Sequence, residues 1–305
     1  MFQLIKNTDI NFIGVRRIAI TISLIVIAIG IGSVVFHKGL NLSIDFVGGT
    51  LIQIKFEKPI ENNVGTIRSV IGGLNYGTPE VKRIGPVENN ELQVTVRSEG
   101  EGTSVADAMR AVLKKELPDN PFEIRKVEKV GPKIGGELRR NTIIASLLSL
   151  LAILIYIGFR FHLPFGVAAV IPLFHDVLVT ITVFSVLNRE VSLPFIAALL
   201  TIIGYSLNDT IVIFDRIREN MRAGNIRGDK FNSLVNSSIN QTLSRTIITS
   251  LTTLIVVTAL FILGIESIKD FALALLIGII VGTYSTIYIA SPVLLWWHKR
   301  WPLAK

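Results

Sequence analysis

The segment Ile203–Asn220, IGYSLNDTIVIFDRIREN, decides how the rest of the chain is interpreted. Its first part is apolar enough for a membrane helix, yet Asn208 and Asp209 lie within it. A carboxylate in hydrocarbon costs at least about 2.5–3.5 kcal/mol, so it normally faces a partner or a hydrated cavity. We therefore expect a membrane protein in which Asp209 is a functional group.

The composition supports an integral membrane protein. Of the 305 residues, 50% are hydrophobic and 18% are charged, whereas soluble domains have about a quarter charged residues. The net charge of +8 is attributed to membrane orientation, and no aromatic-interleaved basic patch suggests a nucleic-acid partner. The absence of cysteine excludes disulfides, Cys-type zinc sites and thiol catalysis.

Long apolar runs predict an all-α membrane bundle of six transmembrane helices, with an extracytoplasmic α+β insert between the first and second helices. The predicted spans are Ile18–Phe36, Thr142–Phe159, Pro164–Leu187, Pro194–Phe214, Ile247–Leu263 and Phe271–Leu295. The predicted domains are 1–38 (cytoplasmic N-terminus and first helix), 39–140 (extracytoplasmic domain), 141–298 (five-helix bundle) and 299–305 (cytoplasmic tail).

The insert has the composition of a soluble domain. Alternating apolar residues predict strands, and helical spacing predicts two helices, the second with Thr103 as its N-cap. The resulting order βαββαβ predicts a ferredoxin-like module.

The segment 215–246 is predicted to be a cytoplasmic amphipathic loop. Its apolar residues at helical spacing are Phe231, Leu234, Val235, Ile239 and Leu243. This pattern favours a helix lying on the membrane surface, and an ordinary loop is the alternative.

The distribution of basic residues predicts the orientation. Lys and Arg are concentrated in the segments that would lie inside, including Lys6, Arg227 and Lys305, whereas the two short outside loops hold only Arg189 and Lys269. By the positive-inside rule, both termini are cytoplasmic and the α+β insert is outside.

Asp209 and Arg245 are the strongest candidate pair. Asp209 lies about 22 Å along its span from Pro194, at 1.5 Å per residue, and Arg245 enters the next span from the same side. A guanidinium favours the charged carboxylate, and removal from water favours the neutral acid. The pair is therefore a candidate proton-responsive group, with a static ion pair between two helices as the alternative.

Other polar residues within the spans are candidates for the same proton pathway: His175, Asp176, Asn208 and Thr249. For His175 and Asp176 the alternative is a polar contact to the hydroxyl-rich fifth span. Within that span Arg245, Thr249, Thr252 and Thr253 share one helix face. Such a face lines a hydrated path or only packs helices together.

Two groups of glycines are assigned to packing. Gly278 and Gly282 form a GxxxG pattern, which favours close helix contact. Glycines that bracket the insert, together with an aspartate, are expected to make tight junctions between domain and membrane: Asp45, Gly48, Gly49, Gly131 and Gly135. No Walker lysine, hydrolytic triad or metal cluster accompanies them, so we expect neither an enzyme nor a bound cofactor.

Several of these segments together resemble the SecD/SecF family of bacterial protein-export membrane proteins, within the RND superfamily. The segments that carry the resemblance are Ser43–Thr50 (SIDFVGGT), Val130–Arg139 (VGPKIGGELR), Gly204–Asn220 (GYSLNDTIVIFDRIREN), Ser244–Thr246 (SRT) and Gly282–Pro292 (GTYSTIYIASP).

The resemblance implies a subunit of the SecF type in the bacterial inner membrane. It would pair with SecD as one half of a two-half RND-like assembly, beside the SecYEG channel and SecA, with preproteins as substrates. The proton-motive force, rather than a cofactor, would drive late stages of export. The proton-pathway aspartate falls on Asp209 and the essential arginine on Arg245. The alternatives are an RND-type exporter of small molecules or lipids, and a structural scaffold without proton coupling.

Overall fold

The computed structural model describes residues 8–59, 63–74, 76, 79–85, 87–97, 104–224 and 230–301. Lys6, Thr103, Arg227 and Lys305, used in the predictions above, lie outside the described residues. The chain divides into two compact units: a soluble unit, Leu42–Ile144, and a membrane unit formed by Met1–Asn41 with Ala145–Lys305.

The elements follow one another in a simple order. They are α1 (Arg16–Phe36), α2 (Ile44–Val47), β1 (Gly49–Phe56), α3 (Asn63–Gly72), β2 (Glu80–Ile84), a 3₁₀ turn (Val87–Asn89), β3 (Glu91–Val96), α4 (Ser104–Glu116), β4 (Phe122–Val130), α5 (Pro132–Arg160), α6 (Leu163–Val186), α7 (Leu193–Ala223), α8 (Lys230–Leu263), α9 (Glu266–Ser285), a π-helical turn (Thr286–Ala290) and α10 (Ser291–Arg300).

Six helical segments of the described chain are long and apolar enough to cross a membrane: α1, α5, α6, α7, α8 and the last span, in which α9 and α10 continue through the π-helical turn. This confirms the predicted number of membrane helices. Prolines in the first turns of α6 and α7 suit positions whose backbone N–H has no helical partner. At α7 the Ser192 hydroxyl also caps the helix by accepting a hydrogen bond from the Phe195 amide.

The helix favoured within 215–246 is confirmed, and the alternative of an ordinary loop is wrong for the described residues of this segment. Helix α7 continues to Ala223, and α8 begins at Lys230. Four of the apolar residues of the segment are buried in the core of the membrane unit: Phe231, Val235, Ile239 and Leu243. An apolar face with this periodicity is compatible with a surface helix, and here it lies in the core where α7 and α8 pack against each other.

The apolar run predicted from Thr142 is part of a longer helix, because α5 already begins at Pro132. The first turns of α5 are more polar than the run that follows them. In the membrane unit α7 lies centrally and packs against α6, α8 and α9, and α1 packs on α6. Helix α5 is mostly exposed along its apolar stretch, although Ile157 is buried in the core.

The soluble unit is built on a four-stranded antiparallel sheet with the order β2-β3-β1-β4. Side chains of β1 and β3 on one face, such as Ile52 and Val94, are fully buried with Ile67 of α3 and Met109 of α4. The edge strand β4 largely alternates between half-buried and exposed residues, as expected of a strand with one face toward the core and one toward solvent.

Candidate functional site

Asp209 is held inside the membrane unit without a complete set of partners. Its residue is 4% exposed, and its Oδ2 atom is buried with no hydrogen-bond partner. The neighbouring Thr210 hydroxyl contacts Thr286 Oγ1 at 3.2 Å, which ties this turn of α7 to the π-helical turn. A buried polar atom without a partner is costly, and such groups often mark functional sites.

Arg245 lies on α8, beside α7, and is exposed. Its positive charge acts on the Asp209 carboxyl group, although the two make no salt bridge within 4.0 Å in the part of the chain described. The structure therefore brings the predicted pair within electrostatic range but leaves it open. Because Coulomb energy varies inversely with distance, a helix movement that brings the two groups together or apart changes the energy of their attraction.

The threonine face of α8 is partly exposed, and its hydroxyl groups are bonded within their own helix. Thr249 Oγ1 donates to the Arg245 and Thr246 carbonyls, and Thr252 and Thr253 also donate to carbonyls of their own helix. Arg245 and Thr252 are exposed. These hydroxyls are satisfied within their own helix, and their role in a hydrated path or in helix packing stays a prediction.

A second carboxylate, Asp176, is fully buried and fully partnered. Its Oδ2 accepts hydrogen bonds from Ser206 Oγ at 2.6 Å and Ser285 Oγ at 2.9 Å, and its Oδ1 lies 3.0 Å from His175 Nδ1. His175 Nε2 in turn lies 2.9 Å from Ser23 Oγ. This cluster, the Asp176 network, ties α6 to α1, α7 and α9.

The sequence analysis identified His175 and Asp176 but not their partners. The suggested contact to the fifth span is wrong, since the hydroxyl partners come from α1, α7 and α9. Ser206 lies one turn before Asp209, and Ser285 lies three residues after Gly282. These spacings from residues already identified are the sequence signal that could have indicated the two serines as partners. The hydrogen bonds of the described residues do not connect Asp209 to the Asp176 network.

The predicted GxxxG residues lie where α9 meets α7. A methyl group on Gly278 would overlap the side chain of Ile202, and one on Gly282 would lie 3.1 Å from Ser206 Cβ and 3.6 Å from Asp176 Oδ2. These glycines therefore let α9 approach α7 closely enough for Ser285 to reach Asp176.

Asn208 belongs to an exposed stripe of α7 that the sequence analysis did not single out. Its other members follow at intervals of three and four residues and are small: Ala197, Thr201 and Gly204. A Cβ atom on Gly204 would meet nothing within 4 Å in this chain. Asn208 of this stripe directly precedes buried Asp209 in the sequence.

The glycines that bracket the insert make close contacts within the soluble unit. Gly48 and Gly49 have positive φ angles of 74° and 138°. A Cβ atom on Gly135, in the first turn of α5, would lie 3.0 Å from the Gly48 amide nitrogen. Gly131 accepts the Gly135 N–H at 2.9 Å, and Asp45 Oδ2 accepts the Ser43 hydroxyl at 3.1 Å. Their role as a junction with the membrane stays a prediction.

Together these features define a multi-pass membrane protein with a soluble α+β unit after the first helix and two carboxyl groups buried among its helices. Residues 110–300 match the family described as protein export membrane protein SecD/SecF, C-terminal, and residues 33–60 match the SecD/SecF GG motif. The chain belongs to the SecD/SecF family of protein export membrane proteins, which confirms the resemblance inferred from its motifs.

Relatives in the family match almost the entire chain. It is 45% identical over 295 residues to protein translocase subunit SecF of Magnetococcus marinus, covering 95% of this chain and 93% of that one. It is 42% identical to protein translocase subunit SecDF of Thermus thermophilus, covering 95% of this chain and 39% of the longer one.

A solved structure has the same fold. The crystal structure of SecDF, a translocon-associated membrane protein from Thermus thermophilus, superposes with a TM-score of 0.85 at 40% identity. The match covers 98% of this chain and 40% of the solved one, so this chain spans about two fifths of that protein.

Proposed function

We propose that this chain is an accessory subunit of the Sec translocase that works with SecD. The SecF relatives support the first part, and the SecDF relative, in which a region similar to this chain occupies about two fifths of one longer protein, supports the second. The exposed stripe Ala197–Thr201–Gly204–Asn208 and the threonine face of α8 suit contact with a partner in the membrane, because small residues permit close helix packing. A SecD half seated there completes the two-half RND-like assembly.

We further propose that the subunit couples the proton-motive force to late stages of preprotein export. The single observation that carries this proposal is the buried Asp209 carboxyl group. Its Oδ2 has no hydrogen-bond partner, and it lies within electrostatic range of the Arg245 guanidinium group. Protonation removes the attraction between the two groups and changes the preferred distance between α7 and α8. One charge crossing the membrane potential supplies about 2.3 kcal/mol per 100 mV, so each stroke uses several protons.

The remaining assignments extend this proposal. The subunit is not an enzyme and needs no cofactor beyond the proton gradient. It sits in the bacterial inner membrane with both termini in the cytoplasm, beside SecYEG and SecA. The soluble unit faces outward, has a ferredoxin-like topology supported by its β2-β3-β1-β4 order, and holds the emerging preprotein against backsliding.

The test compares Asp209→Asn with wild type in sealed vesicles that carry SecD and SecYEG. Preprotein is first advanced by SecA and ATP, ATP is then removed, and completion of export is followed with and without a proton gradient. Asp215→Asn, on the same helix but at a half-exposed ion pair with Arg160, is the matched control. We expect the gradient to accelerate export in wild type and in Asp215→Asn but not in Asp209→Asn.

Equal responses to the gradient in all three proteins would contradict proton coupling through Asp209. If the Asp209→Asn complex also assembles with SecD and exports normally, the chain is a scaffold without coupling. Co-purification of an apolar small molecule or lipid with the soluble unit, together with undisturbed preprotein export, would instead favour the RND-type exporter.

A further inference from the structure

A cavity of about 490 Å³ lies between the segment that precedes α1 and the first turns of α8. Its lining is polar and basic: Asn11, Ile13, Gly14, Arg16, Arg17, Asn232, Ser233 and Asn236. The volume is within the range of about 300–1,000 Å³ found for ligand sites. None of these lining residues is acidic, so the cavity suits an anion.

Two asparagine side chains of α8 hold the walls of the cavity together by hydrogen bonds. Asn236 of α8 donates from Nδ2 to the Ile10 carbonyl at 2.9 Å and accepts the Ile13 amide through Oδ1 at 3.3 Å. Asn240, one turn further, donates to the Ile10 carbonyl and accepts the Ile10 amide. The side chains of Asn236 and Asn240 therefore hold the segment before α1 against α8.

Donors of the lining remain available after that attachment is made. In the described part of the chain, neither Arg16 nor Arg17 makes a salt bridge or a side-chain hydrogen bond, and the same holds for the side chains of Asn232 and Ser233. Two guanidinium groups, an amide and a hydroxyl thus border one cavity with donors free. That donor set matches the oxygen atoms of a phosphate group.

The surroundings favour a lipid phosphate over a free one. The cavity lies at the end of a membrane helix, where basic residues between helices contact lipid headgroups. Leu24 and Ile25 follow Arg17 by seven and eight residues, so they continue the same face of α1 into the membrane. They are 62% and 54% exposed, and Ile18 is 64% exposed. Exposed apolar residues of α1 therefore lead away from the polar site into the membrane.

We propose that this cavity binds the headgroup phosphate of an anionic phospholipid from the leaflet on the N-terminal side, with the acyl chains along Ile18, Leu24 and Ile25. Occupancy fastens the start of α1 to the start of α8. The site is separate from Asp209, so the inference stands or falls independently of proton coupling.

The test uses the full chain in detergent, titrated with phosphatidylglycerol, phosphatidylcholine or inorganic phosphate, with bound lipid counted by native mass spectrometry. Each basic residue near a lipid surface contributes about five-fold in affinity, so Arg16→Gln/Arg17→Gln is expected to weaken phosphatidylglycerol binding about 30-fold. The matched control Lys299→Gln/Arg300→Gln removes two exposed charges that do not line the cavity and is expected to change binding less than two-fold.

Arg16 and Arg17 also bear on membrane orientation, so a second variant leaves them intact. Asn232→Asp places a carboxylate in the lining and is expected to weaken phosphatidylglycerol binding at least five-fold in correctly inserted protein. Equal losses in both double variants would overturn the proposal in favour of diffuse surface charge. Tight binding of inorganic phosphate that displaces the lipid would overturn its lipid part, and equal affinity for phosphatidylcholine would overturn it entirely.

Discussion

Gly278→Ala tests a close contact between α9 and α7 in the membrane unit. The added Cβ atom would lie 2.8 Å from Ile202 Cγ2 and closer still to Cγ1 and Cδ1 of the same side chain. Carbon atoms in contact normally lie about 3.5–4.0 Å apart. Ile202 is fully buried and branched at Cβ, so it cannot rotate away from the new methyl group without meeting other core atoms.

The expected magnitude follows from two opposing effects. Overpacking a buried site costs about 1–3 kcal/mol, and replacing glycine by alanine within a helix returns up to about 1 kcal/mol. Gly158→Ala in α5 supplies the matched control, because its Cβ atom would meet nothing within 4 Å. The difference between the two variants in the free energy of unfolding isolates the steric effect, which we expect to be about 1–3 kcal/mol.

The free energy is measured by unfolding the purified protein in mixed micelles while its helical circular dichroism is followed. A double-mutant cycle with Ile202→Ala, which removes the three obstructing atoms, is expected to give a coupling energy of about 1–3 kcal/mol that favours the double variant. Equal stability of Gly278→Ala and Gly158→Ala, or simple additivity in the cycle, would refute the proposed contact between α7 and α9.

Two further predictions concern other contacts. Gly49→Ala is expected to destabilise the soluble unit by about 1–3 kcal/mol, because Gly49 has a φ of 138°. Loss of hydrogen-exchange protection along β1 in the full chain checks this, and Gly136→Ala, which meets nothing within 4 Å, is expected to leave protection unchanged. Ser285→Ala removes a hydroxyl donor from the Asp176 carboxylate and is expected to cost about 1.5–3 kcal/mol of unfolding free energy. The exposed Ser237→Ala should cost much less in the same titration, and equal losses would contradict the role assigned to the network.

The membrane helices could be predicted from the sequence because an apolar run of about 20 residues has one favourable state beside hydrocarbon. The burial of the helices within 215–246 could not be predicted, because a helix on a membrane surface and a helix buried on one side have the same period. Phe231 and Val235 identify the apolar face, but only the fold shows that this face meets the core.

The candidate site divides in the same way. Asp209 and Asp176 stand out in the sequence because a carboxyl group among apolar residues is costly. The difference between their surroundings is not visible in the sequence. Asp209 has an oxygen without a partner, whereas Asp176 accepts hydrogen bonds from Ser206 and Ser285, which lie 30 and 109 residues away along the chain. Partners at such separations depend on the helix arrangement, which periodicity alone does not specify.

The packing of α1 on α6 has a consequence for biosynthesis. About 130 residues separate the end of α1 from the start of α6, and they include the entire soluble unit. At about 5–20 residues per second, the ribosome takes roughly 6–25 s to make them. During that interval Ser23 of α1 is in the membrane without His175, its hydrogen-bond partner in the folded protein. We therefore expect the first helix to contact a membrane insertion factor until the third membrane helix has been synthesised.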